Sequence, residues 1–251
     1  MNNYFLTRAT CRNFSDKEIS DSKIKEMLEA AAHAPTTGNM QLYSVIVTRD
    51  KSRKELMAPA HFSQPAYMKA PVLLTFCADF NRFNKWCEQN RATPGYDNLQ
   101  SFIAAALDTT ILAQQFVTIA EMEGFGTCYL GTTTYNPDKI AQALELPPFV
   151  VPITTIALGY PLQETTKTDR ISLSGWLHNE TYKQYAPEDI NNIFDYKEKI
   201  AENQQFIKEN NKTTLAQVFT DVRYPKSNNE HFSRVFRDFL IRQGFLDKPE
   251  D

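Results

Sequence analysis

The stretch at residues 98–123, NLQSFIAAALDTTILAQQFVTIAEME, limits what this chain can fold into more than any other. Between Asp97 and Glu121 its only formal charge is Asp108. Phe102, Ala105, Ala106, Thr109, Leu112, Ala113, Phe116, Ile119, Ala120 and Glu123 recur at three- and four-residue steps, the period of one helix face. Ala104, Ile111, Val117 and Met122 occupy the other side, so the helix is apolar nearly all round. Such a helix belongs in a core, at a subunit interface or in a bilayer. Gln100, Asp108, Gln114 and Gln115 argue against the bilayer, because the few apolar positions do not offset their desolvation. Gly124 stands where a helix end takes a left-handed residue. FGTCYLGTT, which follows, reads as a short strand running into a Gly-Thr turn. The expectation is a buried scaffold helix that delivers a backbone loop to a site.

A core large enough to bury that helix is available, since 42% of the 251 residues are hydrophobic and 12% aromatic. The chain reads as one domain over residues 1–251, with a core at 1–161 and a basic loop and helical extension at 162–251. A net charge of −3 argues against nucleic-acid or membrane-surface binding by bulk electrostatics. MNNYFLTRATCRNF at the start shows no long apolar run followed by a small-residue cleavage site, so no signal peptide is visible. Cys11, Cys77, Cys87 and Cys128 form no CxxC pair, which fits reduced thiols in a cytoplasmic protein. His33, His61, His178 and His231 lack metal-ligand spacing, and no metal site is expected.

Local signals order the rest. Ser20 caps a helix whose apolar face is Ile24, Met27, Leu28 and Ala31, and Pro35 and Gly38 then demand a loop. Strands are predicted at 43–48, 72–78 and 153–158, the second as a buried central strand from its continuous apolar run. A short helix falls at 52–57. Asn136-Pro137-Asp138 starts another, ending at Pro147-Pro148. Ile190, Ile193, Phe194 and Ile200 mark one amphipathic helix in the extension, and Phe232, Val235, Phe236, Phe239 and Leu240 a second.

Four features carry chemistry. Arg8 and Arg12, with Thr10 between them, offer two guanidinium forks and a hydroxyl to a phosphate dianion, or are simply solvated charges. The loop Pro35-Thr36-Thr37-Gly38-Asn39-Met40-Gln41 either hydrogen-bonds a flat heterocycle or is only a turn. Residues 126–132 permit close backbone approach to a ligand, or use their glycines for turn geometry. Lys167 and Arg170 lie in a polar loop where charges are by default solvated. No Ser-His-Asp order, P-loop or GxGxxG follows a strand, and Asp108 reads as a satisfied helix acid rather than a general base.

Taken in order, these features resemble a known family. An Arg-x-Thr-Cys-Arg-x-Phe start precedes Ala-Pro-Thr-x-x-Asn-x-Gln; Gly-Phe-Gly-Thr-Cys-Tyr-Leu-Gly and then Ala-Leu-Gly-Tyr-Pro follow the apolar helix. From Leu6 to Pro161 the chain resembles the FMN-dependent nitroreductase family. Phe76-Cys-Ala-Asp-Phe-Asn-Arg82, the loop ending at Arg170, His178-x-Glu180-x-Tyr182 and Gln243-Gly-Phe245 resemble its larger oxygen-insensitive NAD(P)H nitroreductase and NADPH-flavin oxidoreductase branch. The resemblance implies an α+β fold with a mainly antiparallel sheet flanked by helices, and FMN bound at a homodimer interface. It implies phosphate and ribityl contacts from Arg8, Ala9, Thr10 and Arg12, although Ala9 replaces a usual basic residue and Thr10 a commoner serine. It implies Thr36, Thr37 and Asn39 against the flavin, Gln64 at the ring system and Gly131 and Thr132 along the isoalloxazine edge. Arg170, with Lys167, would complete the phosphate site, the lysine standing one position off the family pattern. Residues 208–219 hold no arginine where the branch keeps a pair for the NADPH 2′-phosphate. The implied activity is ping-pong hydride transfer from NAD(P)H to nitroaromatics, quinones or flavins. No protein residue is required as a catalyst, because FMN carries the chemistry. A flavin reductase or reductive dehalogenase on the same fold, and a flavin-sequestering protein, are the alternatives.

Overall fold

The computed structural model describes residues 3–248. Those residues form two compact units, one of residues up to 167 together with those from 232 onward, the other of residues 168–231.

The first unit is built on four strands, β1 (Tyr43–Thr48), β2 (Val72–Asp79), β3 (Gly126–Leu130) and β4 (Val150–Gly159). They pair in the order β1-β2-β4-β3, antiparallel throughout, which is the predicted mainly antiparallel α+β arrangement. Continuous apolar sequence puts β2 at the centre, with every residue buried. Its side chains alternate between faces. Val72, Leu74 and Phe76 point into one core cluster, and Leu73 into another.

The helices are α1 (Tyr4–Thr7), α2 (Asp21–Ala31), α3 (Lys51–Met57), α4 (Pro65–Lys69), α5 (Asn81–Gln89), α6 (Leu99–Met122), α7 (Pro137–Ala143), α8 (Pro187–Lys199), α9 (Ala201–Glu209), α10 (Leu215–Val218) and α11 (Lys226–Arg242). Ser20 caps α2 by accepting from the Lys23 amide, as its sequence requires. The scaffold helix is α6. Leu112, Phe116 and Ala120 join Met27 and Ala31 of α2 over the Val72–Leu74–Phe76 face of the sheet. The opposite face carries Met57, Tyr67 and Ile140 over Leu73, Cys128 and Ala157. A third cluster, with Leu42, Phe80, Phe102, Phe239 and Phe245, brings the end of α11 to the start of α6. By length and composition α6 alone among the described helices could cross a membrane. Here 44% of its most apolar window is buried inside the protein.

That helix is not enclosed. Leu99, Ile103, Leu107 and Ile111 are 49%, 41%, 56% and 41% exposed. Steps of four along a helix make one ridge, and Met122 lies eleven residues beyond Ile111, close to the same face.

The second unit contains α8, α9, α10 and a single π-turn at Phe219–Arg223. Its buried apolar cluster is small, made of Ile207, Leu215 and Val218. Glu198 accepts from the Leu215 amide at 2.8 Å, and Thr214 caps α10.

Candidate functional site

The N-terminal segment is laid along β3. The Cys11 amide donates to Thr127 O at 2.9 Å, and Phe14 bridges Pro161 beyond the end of β4. Gly126 permits this approach: a Cβ there would stand 2.6 Å from Cys11 Cβ and Sγ. Arg8 and Arg12 therefore reach the same edge of the sheet by way of one glycine.

Their surroundings differ. Arg8 donates through Nε and Nη2 to Glu121 at 2.9 and 2.8 Å, a two-pronged ion pair. Glu121 also accepts from Tyr4 and from Thr127. Burial pushes the Glu121 carboxyl up, but donation from Arg8, Thr127 and Tyr4 outweighs it and leaves the pKa lowered. Burial, then the bond to Glu121, push Tyr4 up to about 12. The charge of Arg8 is thus answered by Glu121, with Nη1 left outside the fork. Arg12 is exposed and close enough to Cys128 to favour its thiolate, although burial keeps that thiol raised. Sequence reasoning missed Glu121. The signal was a carboxylate at a helix C-terminus, where the helix dipole disfavours it unless a cation answers.

At the other end of β3, Thr132 is buried and meets two side chains from residues 61–64. Gln64 Nε2 donates to Thr132 Oγ1 at 3.3 Å, and His61 Nδ1 lies 3.0 Å from the same oxygen. Gly131 beside it is exposed, and a Cβ there would meet no atom within 4 Å. The structure thus brings Gln64, Gly131 and Thr132 together. From sequence His61 was read only as a histidine without metal-ligand spacing, because an isolated histidine carries no motif.

The loop with Thr36, Thr37 and Asn39 is held by α6. Asp108 accepts from the Thr37 amide and hydroxyl, both at 2.8 Å, and from the Leu42 amide at 3.4 Å. This satisfied helix acid is the pin of the loop. Gly38 and Asn39 take left-handed backbone, at φ 54° and 57°. Lys167 is exposed at the end of the first unit. Arg170 belongs to the second, where its guanidinium donates to Thr168 and Asp169 in its own loop. Ala9 and Thr10 are half-buried in the N-terminal segment. Among the described residues no three histidine, cysteine or acidic side chains cluster as a metal site would require.

A model of the Nitroreductase family matches residues 6–160. The chain belongs to that family. An FMN reductase [NAD(P)H] of Bacillus subtilis is 30% identical over 243 residues, covering 93% of each chain. An oxygen-insensitive NADPH nitroreductase of Salmonella typhimurium is 27% identical over 191 residues, covering 76% of this chain and 77% of its own. A crystal structure from Bacteroides fragilis matches with a TM-score of 0.96 at 51% identity, covering 98% of this chain and all of that one. Membership makes the chain an oxidoreductase, and it fits the absence of a nucleophile–base pair from its motifs.

Proposed function

We propose that this protein is a cytoplasmic, homodimeric FMN enzyme that oxidises NAD(P)H and reduces small aromatic acceptors, namely nitroaromatics, quinones or flavins. The observation that carries the reading is the two-ended character of β3. Arg8 and Arg12 lie at one end, and the donors Gln64 and Thr132 with open Gly131 at the other. From Thr127 to Leu130 the strand runs roughly 10 Å at ~3.3 Å per residue, and Gly131 and Thr132 follow in a 3-10 turn. A ligand with a phosphate tail and a flat, acceptor-rimmed head suits that span, and the family relatives named as FMN reductases support the choice of FMN.

Bound FMN would supply two-electron acceptor and donor chemistry. The chain's own task is to bind and orient. Arg12 and the free edge of Arg8 would take the phosphate, with Thr10 beside them, and Lys167 and Arg170 would add charge. Thr36, Thr37 and Asn39 would flank the ring on a loop fixed by Asp108. A single site would serve reductant and acceptor in turn, which is a ping-pong cycle with parallel double-reciprocal plots. The exposed ridge on α6 supports the dimer, because its own symmetry mate can cover it through an isologous contact.

The test is direct. Cofactor released by denaturation should be FMN, and Arg12→Ala should weaken FMN binding about 10- to 150-fold, the worth of charge-assisted hydrogen bonds. Riboflavin, lacking the phosphate, should bind wild type and variant alike, and Lys51→Ala, on a fully solvated side chain, should change neither. Equal FMN affinity in wild type and Arg12→Ala would remove Arg12 from the site, and release of another cofactor would overturn the assignment. NAD(P)H oxidation with and without a nitro acceptor separates an enzyme from a flavin store.

A further inference from the structure

Behind Thr132 lies a titratable group that the proposed function leaves unused. His61 is fully out of solvent, and its ring stacks on Tyr67 at 4.7 Å and 23°. Nδ1 faces Thr132 Oγ1 at 3.0 Å, whereas Nε2 is buried with no hydrogen-bond partner among the described residues. Burial alone holds the imidazole neutral, its pKa lowered to about 4. A neutral ring carries one proton, and two arrangements follow. With the proton on Nε2, an N–H is buried without an acceptor and the Thr132 proton is consumed by Nδ1. With the proton on Nδ1, only a lone pair at Nε2 goes unfilled. Orphaned buried donors are rarer than under-satisfied acceptors, so the second arrangement is favoured.

Thr132 Oγ1 then receives two donors, His61 Nδ1–H and the Gln64 amide. A threonine hydroxyl accepts at most two hydrogen bonds and donates one. Both lone pairs are filled and neither neighbour accepts, so the hydroxyl proton is left for a third partner. Thr132 is 9% exposed, and the open space beside Gly131 is where such a partner can sit.

We propose that His61 is a positioning residue that, together with Gln64, makes Thr132 an obligate hydrogen-bond donor into the site, selecting a flat heterocycle that presents a carbonyl oxygen or unprotonated ring nitrogen there. The identity of that heterocycle rests on the flavin reading; the donor geometry does not. With FMN bound, a donor fixed in this way strengthens as negative charge develops on the rim it faces, and it needs no reorganisation.

Long-range proton–nitrogen NMR of the imidazole in the purified protein at neutral pH reads the arrangement without reference to any ligand. Nδ1 should be the protonated nitrogen, and a proton on Nε2 would overturn the proposal whatever the protein binds. FMN titration and the midpoint potential of bound flavin read the consequence. Thr132→Val should weaken FMN about 2- to 13-fold, one net hydrogen bond, and shift the potential, while Thr132→Ser keeps both near wild type. His61→Phe retains a ring for Tyr67 and should reproduce the Thr132→Val effects, with the double variant no worse than either single one. A wild-type potential in folded His61→Phe, or additive losses, would overturn the relay. If His61→Phe does not fold, the imidazole spectrum and the valine–serine pair decide. A protein with Nδ1 protonated that takes up no FMN would overturn the flavin reading alone.

Discussion

Three side chains at the candidate site, Glu121, Asp108 and His61, act by holding others. Glu121→Gln should remove the ion pair with Arg8 and weaken two further bonds, at a cost of about 1.5–3 kcal/mol in urea unfolding, since Glu121 is largely buried and Arg8 about a quarter exposed. An unchanged unfolding midpoint would mean that the pair is solvated and idle. His61 makes a pH prediction with a definite sign. Its folded pKa of about 4 lies below its ordinary 6.5, so the unfolded chain takes up a proton that the folded one refuses. The full contribution is therefore present above pH 6.5 and is lost as pH falls toward 4, by up to about 3 kcal/mol. Urea midpoints against pH should fall more steeply for wild type than for His61→Phe between pH 6.5 and 5; equal slopes would contradict the burial of a neutral ring. Of these only Asp108 was legible in the sequence, as a satisfied helix acid; its partners, and the roles of Glu121 and His61, were not. Each depends on a partner tens of residues away, Asp108 on Thr37 and His61 on Thr132, and long-range pairing leaves no periodic trace. The arginines, threonines and glycines of the proposed site were picked out because they fall in short ordered motifs.

Elements were legible in proportion to their punctuation. The strand at Tyr43–Thr48 and the Ser20-capped helix follow from β-branching and a cap. The helix that begins at Pro137 was expected to run to Pro147, yet it stops at Ala143 because Glu145 takes a left-handed turn (φ 55°) without the glycine that usually signals one. Likewise Ile200 is extended (ψ 127°) and splits what reads as a continuous amphipathic pattern into α8 and α9. No glycine or proline marks that break. The loop at residues 36–42 is an element only through α6. Asp108→Ala should release it, costing about 1–3 kcal/mol for the buried Leu42 amide left without an acceptor. Amide exchange at Thr37 and Leu42 should accelerate while that at Phe116 does not. Protection retained at Thr37 would mean the loop holds itself.

At the scale of the molecule the open question is what covers α6. Its near-uniform apolarity was read correctly from sequence, but which face stays open was not, since periodicity cannot separate a core face from an interface face. The ridge of Leu99, Ile103, Leu107 and Ile111 answers that: these positions are open in the single chain. Obligate interfaces bury on the order of 2,000–5,000 Å². Leu107→Glu, a change on an already exposed position, should leave the fold intact by circular dichroism and yield a monomer by light scattering. A Leu107→Glu protein that remains dimeric would move the interface elsewhere.

The stapling of residues 8–14 to β3 and Pro161 also has a consequence in time. Arg8 meets Glu121 across 113 residues, and Tyr4 across 117. Residues 8–14 are made before β3 and have nothing to pair with until β3 follows, roughly 6–25 s later at 5–20 residues per second. Closing so long a loop is slow compared with forming local helices. The segment that carries Arg8 and Arg12 is therefore among the last parts to take shape, because it docks only when it returns to the sheet.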